Sequence, residues 1–292
     1  MRLLALLTLA IAAACPAAEK LKVYISADME GIGGVSSSRT QGATEGREYA
    51  SARRLMTEEV NAAIQGAFDA GATDVVVSDS HGDGQNIDIE LLDKRAKLIR
   101  AFPRPLGMMG GIDKSFDAVG FVGFHAAEGQ ADATLAHTVS GSKIFDLKLN
   151  GVSMPEAGLN AAIAAEFGVP VVFLSGDQTI CAEARRLLGP IETAAVKQAT
   201  SIYSAMMIHP SAARQMIREG MKRGIERRKE FKPYLMSRPV RLEITYKRTT
   251  DAEVVSYLPN VERPRGNAIL FSAGDMIQIS KFFNAIMDLN TF

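Results

Sequence analysis

The 292-residue chain has no tryptophan, four histidines and two cysteines, and it has no surplus of charge: 33 Lys+Arg stand against 33 Asp+Glu. Each shortage excludes something. Two cysteines cannot build a disulfide framework or a Cys-rich zinc module. A formal net charge of zero argues against a protein that binds polyanions with its whole surface, and so against nucleic acid as a partner. With four histidines, any metal or acid–base chemistry must draw on His81, His125, His137 and His209. Long apolar runs are equally scarce, and none after the N-terminal segment approaches the length of a membrane span.

That N-terminal segment, residues 1–18, reads as an export signal. Met1-Arg2 is a minimal positive start, residues 3–14 are an apolar run of twelve, and Ala14-Cys15-Pro16-Ala17-Ala18 supplies small residues. Such a run is short for a bilayer span, and its layout suits a secretory signal. The expectation is cleavage near Ala17 or Ala18 and a periplasmic or secreted mature chain. Lipoprotein anchoring at Cys15 is the weaker reading, because Ala12 is a poor residue three places before it. Cleavage after Cys15 leaves Cys181 alone, with no internal disulfide.

From residue 21 onward, short apolar runs alternate with helical stretches. Strands are expected at residues 21–26, 74–78, 118–124 and 169–174, where β-branched and aromatic residues collect. Helices are expected at 45–70, 155–167 and 179–188, with Gly71 and Gly168 as stops. Continuous apolar strands in a βαβ rhythm predict a doubly wound α/β fold with a mostly parallel sheet. After about Ala195 the texture changes. A charged helix at 209–232 precedes a strand of period two at 239–246, a strand at 268–272 and a closing helix at 275–289. The expected division is a metal-binding catalytic core at 19–195 and a smaller α+β portion at 196–292, the latter completing the subunit and its oligomer contacts.

Three of the predicted strands run into chemically capable segments: Asp28-Met29-Glu30-Gly31, Ser78-Asp79-Ser80-His81 and Gly123-Phe124-His125-Ala126. Open parallel sheets bind ligands outside the carboxyl ends of their strands, so these segments are expected on one rim. Residues i and i+2 of extended chain share a side, which lets Asp28 and Glu30 face one point. Two carboxylates and two imidazoles suit zinc or a similar divalent ion, and a third carboxylate would suffice for two ions. The alternative is that each histidine caps a strand and each acid caps a helix. Spacing alone leaves both open.

The remaining candidates are individually weaker. His137, in Ala136-His137-Thr138, suits acid–base or oxyanion duty or a structural loop role. Asp79 either orients His81 or caps the next segment. His209 precedes Pro210 at a helix start and reads as structural. Ser78, Asp79 and His81 are triad types but lack a nucleophile turn, and Gly31-Ile32-Gly33-Gly34 lacks phosphate-loop spacing. Cys181 reads as a small core residue. The seven basic residues of 218–232 are interspersed with Glu219, Glu226 and Glu230, the pattern of a solvated helix face.

Taken in order, Ser26-Ala27-Asp28-Met29-Glu30-Gly31-Ile32, Ser78-Asp79-Ser80-His81, Gly123-Phe124-His125-Ala126, Ala136-His137-Thr138 and Pro155-Glu156-Ala157-Gly158-Leu159-Asn160-Ala161 resemble the DppA-type D-aminopeptidases, metallopeptidase family M55. Thr193-Ala194-Ala195-Val196-Lys197-Gln198 extends the match, which runs from about Lys22 to Leu289. The resemblance implies two zinc ions per subunit held by Asp28, Glu30, His81, His125 and Glu156, with Asp28 our choice for the bridging ligand. It also implies His137 as the catalytic histidine, short D-Ala-containing peptides as substrates and a homodecamer with interior active sites. The rival readings are another two-metal hydrolase, such as a phosphoesterase, and a non-catalytic periplasmic binding protein.

Overall fold

The computed structural model describes residues 20–289. The expected export segment, with Cys15, therefore lies outside the described residues. The first half of the chain contains β1 (Lys22–Ala27), α1 (Tyr49–Asp69), β2 (Asp74–Asp79), β3 (Ala96–Ile99), β4 (Ala118–Phe124), β5 (Ile144–Leu149) and β6 (Val152–Ser153). Then follow α2 (Glu156–Glu166), β7 (Val171–Asp177), α3 (Gln178–Leu188), β8 (Glu192–Ser201), β9 (Ser204–Met207) and α4 (Pro210–Glu226). The chain closes with β10 (Val240–Tyr246), α5 (Thr249–Val255), β11 (Val261–Arg265), β12 (Ala268–Ala273) and α6 (Met276–Leu289). No described helix is long and apolar enough to cross a membrane.

Seven strands form one sheet in the order β3-β2-β1-β4-β7-β8-β9. Every pair in it is parallel except β8–β9. A second, antiparallel sheet has the order β11-β12-β10-β5-β6. The α/β expectation is met by this arrangement. Both faces of the central strands are covered, and every residue of β4 and β7 is buried, which is why they read as continuous apolar runs. Each fully buried aliphatic or aromatic side chain there contributes roughly 1.5–3 kcal/mol.

The structure departs from the sequence expectation in instructive places. β3, β5, β6, β8, β9, β11 and α5 are not among the expected elements: β3 and β6 are short, and β8 (ETAAVKQATS) mixes alanine and polar residues with few β-branched ones. Ala195 lies inside β8, a strand of the parallel sheet, while β5 and β6 from the preceding stretch belong to the second sheet. The first helix begins at Tyr49 rather than residue 45, because Gly46 and Glu48 turn back on the preceding segment through Gly46 N–H to Ala43 O and Glu48 N–H to Thr40 O. That turned segment, residues 38–46, brings Gly42 against His81.

Sheet order decides where ligands can sit. The chain steps outward from β1 to β2 and β3, then returns to place β4 on the other side of β1. The switch point therefore lies between β1 and β4, and a crevice opens there beyond the strands' carboxyl ends. Two glycines let the strand ends approach closely. A Cβ on Gly31 would sit 1.9 Å from Phe124 O, and one on Gly123, whose φ is +73°, would sit 2.2 Å from Asp28 O.

Candidate metal centre

Asp28 and Glu30 leave β1, His81 follows β2 by two residues, His125 follows β4 directly and Glu156 opens α2. All five are brought together. His81 Nδ1 lies 2.9 Å from Glu30 Oε2 and 3.4 Å from Asp28 Oδ1. His125 Nε2 lies 3.3 Å from both Asp28 Oδ2 and Glu156 Oε1. Asp28 thus presents one oxygen to each histidine. His137 completes the group: its ring stacks on His125 at 4.1 Å between centroids, and its Nε2 is 3.9 Å from Glu156 Oε1.

Each imidazole is anchored by its other nitrogen to a backbone carbonyl. His81 Nε2 meets Gly42 O at 2.9 Å, His125 Nδ1 meets Ala126 O at 3.1 Å, and His137 Nδ1 meets Leu135 O at 2.9 Å. A carbonyl only accepts, so these nitrogens carry the N–H, and a neutral ring then turns its lone pair toward the carboxylates. Carbonyl-anchored imidazoles of this kind are how proteins orient metal-binding histidines. Asp28 Oδ2, Glu30 Oε2 and His125 Nε2 are buried without an aligned hydrogen-bond partner, despite their short separations.

Electrostatics point the same way. Burial works to raise Asp28, Glu30 and Glu156, yet the facing histidines hold all three below the usual carboxylate range. Burial works to lower His81 and His125, yet Glu30 and Asp28 raise the first, and Glu156 and Asp28 the second, well above the ordinary imidazole value. Three buried carboxylates with lone-pair donors aimed between them call for a cation. The mixed oxygen and imidazole donor set fits zinc. Ligand atoms of Asp28, Glu30 and His125 lie within 4.8 Å of one another, as do those of His125, His137 and Glu156. Two overlapping clusters are thus available, with His81 against the Asp28–Glu30 side.

Asp28, Glu30, His81, Glu156 and His137 line a cavity of about 350 Å³, whose remaining wall includes Met108, Leu159, Phe283 and Asn284. On the other side of Glu30 and His137 is a second hollow of about 360 Å³, lined by Ser38, Glu128, Tyr203 and Lys247.

The other candidates separate cleanly. Asp79 does not bond the His81 ring. Its carboxylate accepts from Asn86 N–H, Ile87 N–H and Asn86 Nδ2, and Asn86 Nδ2 also donates to His81 O. It therefore shapes the His81 loop through backbone contacts. His209 caps α4, its Nδ1 accepting from Ser211 N–H. Cys181 is buried and its thiol is pushed up to about 12 by desolvation, which leaves it unreactive. Gly42 O and Asn86 carried no readable signal, since a backbone carbonyl acts regardless of residue type and Asn86 works through loop geometry.

The sequence profile of the M55 peptidase family, described as D-aminopeptidase, matches residues 21–285. The chain belongs to this family. It is 34% identical over 263 residues to a D-aminopeptidase of Bacillus subtilis (strain 168), covering 88% of this chain and 93% of the relative. It is also similar to the solved structure of the Zn-dependent D-aminopeptidase DppA from Bacillus subtilis, described as a self-compartmentalizing protease. That match has a TM-score of 0.89 at 30% identity and covers 92% of this chain and 97% of the other.

Proposed function

We propose that this M55 family member is an exported aminopeptidase that removes N-terminal D-residues, of the D-Ala type, from short peptides. Two zinc ions would be held by Asp28, Glu30, His81, His125 and Glu156, with Asp28 shared. The observation that carries this reading is the division of Asp28 Oδ1 and Oδ2 between His81 and His125, which creates two adjacent donor groups with one common carboxylate. When bound, zinc supplies Lewis acidity toward a carbonyl oxygen and toward water.

The chain's own residues do the rest. His137 is tied at Nδ1 to Leu135 O, which leaves Nε2 free to take up and deliver a proton. At that atom it serves the leaving amine, or as imidazolium it steadies negative charge developing on the carbonyl oxygen. Its stacking on His125 fixes the ring plane, so Nε2 needs little reorientation on substrate binding. The cavity wall of Met108, Leu159 and Phe283 excludes water and orients a small apolar residue.

Two further parts of the proposal concern assembly and location. A homodecamer with enclosed sites extends the self-compartmentalizing description of the DppA relative. It is supported by exposed apolar residues on the β8–β9 hairpin beside the outer hollow: Tyr203 is 70% and Met206 62% exposed. Export rests on the composition of residues 1–18, and D-Ala peptides of cell walls lie outside the membrane.

The test is direct. The purified mature chain is analysed for zinc and assayed on D-Ala-D-Ala, L-Ala-L-Ala and a simple phosphate ester, with and without chelator. The expected result is two zinc ions per subunit, turnover of the D-dipeptide, little of the L-isomer or the ester, and loss of activity on chelation. Equal turnover of both isomers, or indifference to chelator, would sink the proposal; ester hydrolysis alone would favour a phosphoesterase.

A further inference from the structure

A buried lysine lies behind the donor cluster and has no part in the chemistry described so far. Lys197, on β8, is 2% exposed. Its Nζ donates to Glu30 O, to Ile32 O at 3.2 Å and to Val35 O at 2.6 Å. Three carbonyls accept from one nitrogen. A neutral amine has two N–H bonds and an ammonium has three, so this set of contacts is complete only for the charged form. The same loop is gripped from α1, where buried Glu59 accepts from Gly33 N–H through Oε1 at 2.9 Å.

The two carboxylates of β1 are held in different ways. Asp28 is fastened to β4 by its own N–H, which donates to Val122 O, whereas the Glu30–Gly31 peptide is tied to β4 only on its N–H side, by Gly31 N–H to Gly123 O. Glu30 is followed by Gly31, Ile32, Gly33 and Gly34, three of them without side chains where the chain turns away. Its carbonyl is oriented by Lys197. Without the ammonium, Glu30 O and Val35 O lose their donor, while Ile32 O keeps Val35 N–H, and each such loss costs about 1–3 kcal/mol unless the loop moves. Movement of that loop displaces Glu30 from His81 while leaving Asp28, His125 and Glu156 on their own supports.

Resting on the two-zinc reading above, we propose that Lys197 is a positioning residue that sets the Glu30–His81 half of the metal centre and not the His125–Glu156 half. The experiment is zinc titration of the metal-free parent, Lys197→Met and Lys197→Gln in competition with a chelator of known affinity. Circular dichroism, thermal melting, kcat and KM are measured on the same preparations. The parent is expected to bind two ions. In Lys197→Met one ion keeps its parent affinity, while the other weakens about 10–100-fold, the usual effect of removing a residue that supports a ligand. The rate falls through kcat with KM nearly unchanged, and Lys197→Gln, which retains two donors, lies between.

Parent-like binding of both ions by folded Lys197→Met would overturn the proposal, and so would equal weakening of the two. Failure of both variants to fold also overturns it, since Lys197 would then be a determinant of folding and not of one half-site. A parent chain that binds no zinc instead refutes the underlying functional reading.

Discussion

Replacing His137 with alanine separates catalysis from metal binding in this centre, because the two roles predict different losses. The structural cost can be worked from its contacts. The variant loses the hydrogen bond from Nδ1–H to Leu135 O, worth about 0.5–1.5 kcal/mol. It also loses the stack on His125, worth about 0.5–1.5 kcal/mol for an aromatic pair. A total of about 1–3 kcal/mol is small beside the typical 5–15 kcal/mol of a folded domain, so the variant remains folded. Loss of a proton-transfer group costs about 10²–10⁴ in rate, equivalent to about 3–5 kcal/mol of transition-state stabilisation. The assay combines zinc content, thermal melting and steady-state kinetics on D-Ala-D-Ala at saturating zinc. The expected outcome is full zinc occupancy, a modest drop in melting temperature, and a kcat lower by two to four powers of ten with KM little moved. His137 Nε2 is also within ligand reach of the His125–Glu156 cluster, so the refuting result is specific: loss of a zinc equivalent would make His137 a ligand. A rate within threefold of the parent would remove it from the mechanism altogether.

Other substitutions test the support of the site. His125→Ala is expected to lower zinc content, because it deletes the imidazole between Asp28 Oδ2 and Glu156 Oε1; a folded variant with parent zinc content would exclude His125 as a ligand. Gly31→Ala places a methyl 1.9 Å from Phe124 O and is expected to cost at least about 1–3 kcal/mol by overpacking, together with activity, since His125 follows Phe124. Parent-like melting and turnover would show that the β1–β4 approach is not constrained. Burial pushes Glu59 up to about 8 from 4.5. Between those values the folded state holds the proton more tightly than the unfolded chain, so this contribution is complete below about 4.5 and is lost as pH rises toward 8. Glu59→Gln keeps an acceptor for Gly33 N–H but does not titrate. Urea unfolding of the zinc-free proteins is therefore expected to show the variant gaining several kcal/mol on the parent across that window, and parallel pH profiles would contradict it.

Much of this molecule is legible in its sequence, and for identifiable reasons. β1, β2 and β4 are buried on both faces, and that environment selects the apolar runs that announce them. The polar residues that interrupt those runs, Asp28, Glu30, His81 and His125, stand out against the apolar background. Parallel topology then sends them to a common rim. Glu156 was different: it opens a helix far along the chain and entered only through the family resemblance. Glu59 reads as an ordinary charge on a helix assigned by pattern, and Lys197 as one on a stretch not assigned to a strand, because burial of a charge is invisible in a linear string. The β8 strand was missed for the same reason, since its buried lysine and alanines lack the alternation or β-branching that marks a strand.

The sequence by itself thus determined the class of fold, the order of the donor residues and their chemical types, because local patterning and residue identity are written one position at a time. Tertiary structure alone decided which neighbours each of these side chains faces. Asp28 divides its oxygens between two histidines, Gly42, Ala126 and Leu135 carbonyls set the ring tautomers, and Lys197 reaches across 167 positions to the carbonyl of Glu30. These are relations of distance and direction between remote backbone segments. They exist only once the sheet order has placed β1 between β2 and β4.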